Sequence, residues 1–328
     1  MVSRLLLLTC LVAHHPPLGP ERWLLVYTGS GETAGRRFTT GDLLGMITHV
    51  DPQGRPLYRV FTGVVLLQLS TPSRRSFLTW LAGDPARPED WHHYLDSLFA
   101  PDGMLARLDS AATGARATLG PTEPLRISIM IPYPASQVAA LAGDAPAMSR
   151  DARVRTYVND LVARFQAAQY SSLQLDGAYW LREEVPPEDI DLVKTTAALV
   201  RARGLRLFWI PYYRAQNWDN WRALGFDVAW LQPNYFFDPD LPVTRLDSAA
   251  ALATETVMGL EIEFDGRAWS DPAFAGRLEA YLATLDHYPG IHAGPLALYE
   301  GGGALDILAQ SHDPARRALY DSLDSALR

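Results

Sequence analysis

Glu261 and Glu263 stand two residues apart in the apolar run 258–264, MGLEIEF. In a β-strand successive side chains alternate between faces, so both glutamates point to one side and Ile262 to the other. Two carboxyls on one inward face are costly unless they are paired, hydrogen-bonded or used. A third acid, Glu183, stands next to last in the run LQLDGAYWLREE, which also carries Asp176, Tyr179 and Trp180. Acids at the ends of two different strands suit glycoside hydrolysis. One protonates the leaving oxygen, and another carboxylate attacks the anomeric carbon or activates water. On this reading Glu183 is the general acid and Glu263 the nucleophile or base, with Glu261 nearly its equal for the second role. Glu184 and Asp176 stand in reserve. Glu184 reads equally well as half of a solvated charge pair ahead of Pro186 and Pro187.

Six of the nine tryptophans fall between residues 180 and 269. Rigid aromatic faces can stack on the apolar face of a sugar at low ordering cost. Trp209, Tyr212 and Tyr235 are assigned to the pocket by this argument, whereas Trp221 and Trp230 read as packing residues. Gln232 and Asn234 share a strand face and, with Tyr213, are candidates for binding sugar hydroxyls.

The elements that must hold these residues follow from hydrophobic periodicity. Strands are predicted at 23–28, 59–69, 125–133, 173–180, 205–212, 226–234, 258–264 and 291–299, with a short element around 77–81. Helical spacing recurs from 88, at 103–119, 150–169, 187–203, 217–224, 245–256, 272–287 and 313–326. This alternation predicts a parallel sheet covered by helices. Eight units suggest a closed (β/α)8 TIM-like barrel in a single domain over 21–328, its active site at the C-terminal ends of the strands. An open doubly wound sheet is the structural rival.

Composition narrows the chemistry. The 328 residues carry a net charge of -8, which does not favour nucleic acid or an anionic membrane as partner. The one cysteine, Cys10, leaves no cysteine for catalysis or clusters in the body of the chain, and the one lysine, Lys194, falls in a predicted surface helix. Residues 1–20 combine Arg4, a nine-residue apolar run and a breaker-rich link, the plan of a short signal peptide, with a frayed N-terminus as the plainer reading. The run is too short to span a bilayer. A secreted, periplasmic or cell-surface location is expected, with the cytoplasm as the alternative.

Other motifs are weak. Residues 29–34, GSGETA, match the outline of a dinucleotide fingerprint, but no apolar helix follows. The histidines lack metal-ligand spacing, and Asp238-Pro239-Asp240 reads as a turn rather than a calcium loop. No serine occupies a nucleophile elbow. Gly301-Gly302-Gly303 reads as a flexible loop. No cofactor and no metal are expected.

The segments GAYWLREE, LFWIPYYRAQNW, GFDVAWLQPNYFF and MGLEIEFDG together resemble the bacterial domain-of-unknown-function family 4855. Leu25-Val26-Tyr27, the stretch 90–99 and Ile131-Pro132-Tyr133-Pro134 extend the resemblance over most of residues 23–303. It implies a secreted or surface protein akin to barrel glycoside hydrolases. It places acidic motif positions on Glu183, Glu261, Glu263 and Asp265, and polar or aromatic ones on Trp180, Trp209, Tyr212, Gln232, Asn234 and Tyr235. Ala178 departs from the family's usual phenylalanine and Asp176 from its usual apolar residue, implying a wider, more polar pocket floor.

The leading function is therefore a glycoside hydrolase acting on a poly- or oligosaccharide, as a monomer. A carbohydrate-binding barrel without chemistry is the main alternative. A polysaccharide lyase is another, for which Arg182 and Arg214 are the available cations.

Overall fold

Eight short apolar runs become eight parallel strands because each is followed by enough chain to cross back over a helix. The computed structural model describes residues 20–29, 37–78, 84–136 and 148–328. The barrel strands are β1 (Arg22–Tyr27), β4 (Gly63–Leu67), β5 (Leu125–Ile131), β6 (Leu173–Trp180), β7 (Arg206–Trp209), β8 (Val228–Leu231), β9 (Gly259–Phe264) and β10 (Leu296–Glu300). They close in that order, with β10 pairing back onto β1. A small antiparallel hairpin, β2 (Thr48–Val50) and β3 (Pro56–Arg59), lies outside the barrel. The fold is a (β/α)8 barrel, and the open-sheet rival is excluded by the closure.

The leader expected over 1–20 lies outside the described residues apart from Pro20. So do residues 30–34 of the GSGETA run and residues 79–81 of the short element expected around 77–81.

The barrel interior is filled from the N-terminal end by aromatic rings. Trp23 on β1 meets Phe208 on β7 at 4.8 Å between centroids, and Phe208 stacks on Trp230 of β8 at 5.6 Å and 14°. Two glycines make that layer possible. A Cβ on Gly177 would fall 2.2 Å from the Phe208 ring, and one on Gly63 2.5 Å from Trp23. Beneath the rings, Glu21 accepts from Arg126 at 2.6 Å and from Arg206 at 3.3 Å, and Arg206 also pairs with Asp176. Trp23 ties the two layers by donating Nε1 to Glu21 at 2.9 Å. The N-terminal end of the barrel is thus plugged.

Some predicted elements shorten or divide. The strand expected at 59–69 splits into β3 and β4, because Val60 and Phe61 turn their amides to the carbonyl of Ile47 and Gly63 restarts the barrel strand against Trp23. The strand expected at 291–299 begins at Leu296, since Pro289 starts a helical turn that Gly294 ends. The Gly301–Gly303 run, expected as a loop, is a turn with φ of +68° at Gly302 and +78° at Gly303 that leads into the helix Ala304–Ala309.

Candidate active site

The interior faces of β6 and β9 carry the chemistry to the open end. Pairing of Ala297 with Glu261 and of Tyr299 with Glu263 puts both glutamates on the face shared with Trp23, inside the barrel. Both are buried, at 1% exposure. Glu183, three residues beyond β6, is half-buried. Its charge and that of Glu263 act on Glu261, and Glu263 acts on Glu183, so the three carboxyls form one cluster. Tyr179, on the same face of β6, is fully buried beside Glu183 and Glu261.

Each acid has its own surroundings. Glu263 accepts from the backbone amide of Tyr235 at 3.2 Å and from the Tyr281 hydroxyl. The left-handed φ of +54° at Asn234 comes just before the Tyr235 amide that meets this carboxyl. Burial pushes Glu263 up to about 7 against the pull of these donors. Glu261 is pushed well above the usual carboxylate range by burial, then by Glu263 and Glu183, with one opposing hydrogen bond from Gln232. Its Oε2 and the Oε1 of Gln232 are buried with no hydrogen-bond partner among the described residues. Glu183 is raised to about 7, by burial first and the Glu263 charge second. Hydrogen-bond donors favour the ionised form. Of the two interior glutamates, Glu263 has the surroundings that favour charge and Glu261 those that favour a proton.

The residues flanking Glu183 are clamped. Arg182 donates to Asp189 at 3.0 Å, to the Tyr133 hydroxyl at 2.7 Å and to Glu184 at 2.7 Å. Glu184 also accepts from the Tyr212 hydroxyl at 3.0 Å. Asp189, fully buried, is paired with Arg150 at 2.6 Å as well. These bonds fix the segment after β6 and hold Glu184 below its usual range, through Arg182 and Tyr212 acting against burial.

Of the expected site residues, the structure gathers Glu183, Glu261, Glu263, Tyr179, Gln232 and Asn234, with Tyr212 at the rim beside Glu183 and Glu184. Tyr235 contributes its amide. Its ring lies under the Arg277 guanidinium at 3.6 Å and edge-on to Tyr281, not toward a pocket. Tyr213 has the Arg245 guanidinium over its ring at 4.1 Å. Four assignments need correction. Asp176 is the extra residue of a bulge between the Ile127–Leu175 and Ser128–Gly177 pairs, and it serves Arg206 in the floor. Trp209 alternates away from Phe208, stacks on Phe226 at 4.6 Å and donates Nε1 to the Arg182 carbonyl at 2.8 Å. Trp180 is buried on that outer side, edge-on to Tyr133. Asp265 is held by Arg267 at 2.9 Å, whose guanidinium lies over Phe274.

Tyr281 is the partner that periodicity does not reveal. It sits at ordinary core spacing in the helix Pro272–His287. It meets Glu263 beyond the point where β8 and β9 stop pairing, at Leu231 and Leu260. Among the described residues no group of three or more His, Cys, Asp or Glu is placed to hold a metal ion, and no helix is long and apolar enough to cross a membrane.

An eight-stranded parallel barrel whose open end gathers three acids, two of them buried on the interior face, is consistent with a catalytic (β/α)8 barrel. The chain belongs to the family described as Domain of unknown function (DUF4855), whose profile matches residues 22–325. No curated protein matches it. Solved structures similar to it include two mutant forms of the tryptophan synthase alpha-subunit from the hyperthermophile Pyrococcus furiosus. These are 11% and 12% identical, each with a TM-score of 0.41 and with 94% of this chain and 97% of the other covered. The tryptophan synthase a2b2 complex of the same organism is similar at 10% identity and a TM-score of 0.39, with 94% and 97% covered. At these values the likeness carries no argument.

Proposed function

We propose that this protein is a glycoside hydrolase acting on a poly- or oligosaccharide, with Glu183 as general acid and Glu263 as nucleophile or base. The observation that carries the reading is the unequal treatment of two neighbouring acids. Glu263 is surrounded by donors that favour its charge, while Glu183 has burial and a negative neighbour that favour its proton. Both groups titrate at about 7, so the assignment of roles rests on the donors around Glu263 and on their lack at Glu183. Protonation of the glycosidic oxygen by Glu183 would leave it charged as the Glu263 charge is consumed or shared with water, so the repulsion between them falls along the reaction. Glu261 then serves as a neutral neighbour that limits the negative charge in the cluster. Arg182, one of the two cations that a lyase could turn to a sugar carboxylate, is committed to Asp189 and Glu184, which leaves Arg214 for that alternative.

The test is a hydrolysis panel of neutral and acidic glycans with the wild type and the Glu183→Gln and Glu263→Gln variants. Each substitution is expected to lower kcat/KM by at least about 10²-fold, the lower range for loss of a positioned acid or base, with sugar binding retained. Wild-type kcat/KM should peak near pH 7, falling below it as Glu263 takes up a proton and above it as Glu183 loses one. Hydrolysis untouched by both substitutions removes the assignment, and sugar binding without any hydrolysis favours the binding-protein alternative.

A further inference from the structure

The loop after β8 has no helix or strand of its own, yet it brings the Tyr235 amide to Glu263 at 3.2 Å. One buried side chain grips it from behind. Arg277, in the helix Pro272–His287, donates from Nε to the Tyr235 carbonyl at 3.0 Å. Its two Nη atoms reach the carbonyls of Tyr235, Asp238, Pro239 and Leu241. Its guanidinium also lies over the Tyr235 ring at 3.6 Å. A planar fork of donors can serve such a curl of carbonyls, whereas the compact ammonium of lysine cannot span it.

Tyr235 is thus held at its carbonyl by Arg277 while its amide serves Glu263. One turn further along the same helix face, Tyr281 donates its hydroxyl to the same Glu263 oxygen and packs edge-on to Tyr235 at 5.9 Å. The helix therefore meets Glu263 twice, directly through Tyr281 and by way of the Tyr235 peptide through Arg277. The charges agree with this geometry. Among the described residues Arg277 forms no salt bridge, and each of its hydrogen bonds goes to a backbone carbonyl. A buried guanidinium without a contacting carboxylate is costly unless an anion nearby balances it. The Arg277 charge acts on Glu263 in favour of its ionised form. Glu261 on the same strand and Glu183 after β6 act against that form, and from β10 Glu263 faces Tyr299, its register partner.

We propose that Arg277 is a positioning residue for Glu263. It holds the Tyr235 peptide so that the amide meets the carboxyl, and its buried charge balances the carboxylate without touching it. On the hydrolase reading, on which the catalytic use of this role rests, Glu263 is the nucleophile or base and must be ionised to react. Arg277 then serves the reaction without contact with substrate.

Carbon-13 NMR titration of the full chain, labelled at the glutamate carboxyls and with the Glu263 signal assigned by Glu263→Gln, reads the proton on Glu263 with no substrate present. The wild-type midpoint is expected at about 7. Arg277→Gln should raise it by about one unit or more, the lower range for loss of a neighbouring opposite charge. Arg277→Lys keeps the charge without the fork and should raise it less. Circular dichroism shows whether each variant is folded. An unmoved midpoint in folded Arg277→Gln overturns the role. If only Arg277→Lys folds, its midpoint decides in the same way. Failure of both to fold also overturns the role and leaves Arg277 as an anchor of the fold alone. In kinetics, the acidic limb of kcat/KM should move up with the midpoint. Glu183-dependent hydrolysis with midpoint and limb both unmoved rejects the role and keeps the hydrolase. A midpoint that moves with Arg277, in a protein that hydrolyses no glycan, keeps the pairing and rejects the hydrolase.

Discussion

Burial and mutual repulsion raise the pKa of all three carboxyls at the open end of the barrel, so the distribution of protons among them depends on the structure. Glu261 is the clearest case, because burial and two negative neighbours act together and only Gln232 opposes them. Its pKa in the folded chain is raised, so the native state retains a proton that the unfolded chain releases above about 4.5. Stability is then complete at low pH, falls as pH rises toward the folded value, and falls no further above it. Glutamine keeps the shape without titrating. Glu261→Gln is expected to match the wild type at pH 4 and to be more stable than it at pH 8, because only the wild type then releases a proton on unfolding. Urea unfolding at the two pH values checks this. A variant equal to the wild type at both would mean that Glu261 bears no penalty for ionising. The placement of Glu261 and Glu263 was legible from strand alternation alone, whereas their different proton affinities depend on Asn234, Tyr235 and Tyr281, whose convergence is a property of the fold.

At the scale of elements, the segment after β6 carries Glu183 with little regular structure of its own, and side-chain bonds must do what a helix or strand would. Asp189 is the centre of that arrangement, accepting from Arg182, Arg150 and Tyr133 while fully excluded from water. Asp189→Asn leaves two guanidiniums with less charge to face and is expected to destabilise the protein by about 3–5 kcal/mol, the range for breaking a buried ion pair. Denaturant unfolding measures it, and a loss below about 1 kcal/mol would show that the segment is held by other means. Neither Asp189 nor Arg150 stands out in the sequence, since each lies in a helical stretch where charged residues are ordinary. The strands themselves were far more legible. The run 173–180 was read with its observed bounds, and all eight barrel strands were found. Errors occurred where proline or glycine interrupts an apolar run, as at Gly63 and Pro289, because apolar periodicity does not register a break in backbone direction. The glycine run before the helix Ala304–Ala309 misled for the opposite reason: positive φ there builds a helix entry rather than a loop.

Across the whole molecule, the two ends of the barrel divide stability from chemistry. Aromatic layers and the Glu21, Arg126, Arg206 and Asp176 cluster close one end, and the acids occupy the other. The misreading of Asp176 as a pocket residue marks this division. Parity along an unbroken strand sets Asp176 on the face opposite Tyr179, and the bulge that turns its carboxyl to Arg206 leaves no trace in composition. Trp180 and Trp209 were misassigned for a related reason: aromatic residues near strand ends serve sugar stacking and helix–sheet packing alike, and only the direction of the side chain separates the two. If the floor is purely structural, damage there should lower stability and leave the mouth unaltered. Asp176→Ala removes one acceptor from Arg206, leaving Glu21 to balance Arg206 and Arg126 together. A loss of about 2–4 kcal/mol is expected, somewhat under the full range for an orphaned buried charge because Glu21 remains. Below the shifted transition, kcat/KM per folded molecule and the affinity for glycans should stay within about twofold of the wild type, the neutrality expected where no transition-state contact is lost. Unfolding curves and kinetics on the same preparation separate the two effects. A drop in kcat/KM well beyond the change in folded fraction would mean that the aromatic layer of Trp23, Phe208 and Trp230 transmits the floor to the acids above it, and that the barrel cannot be divided in this way.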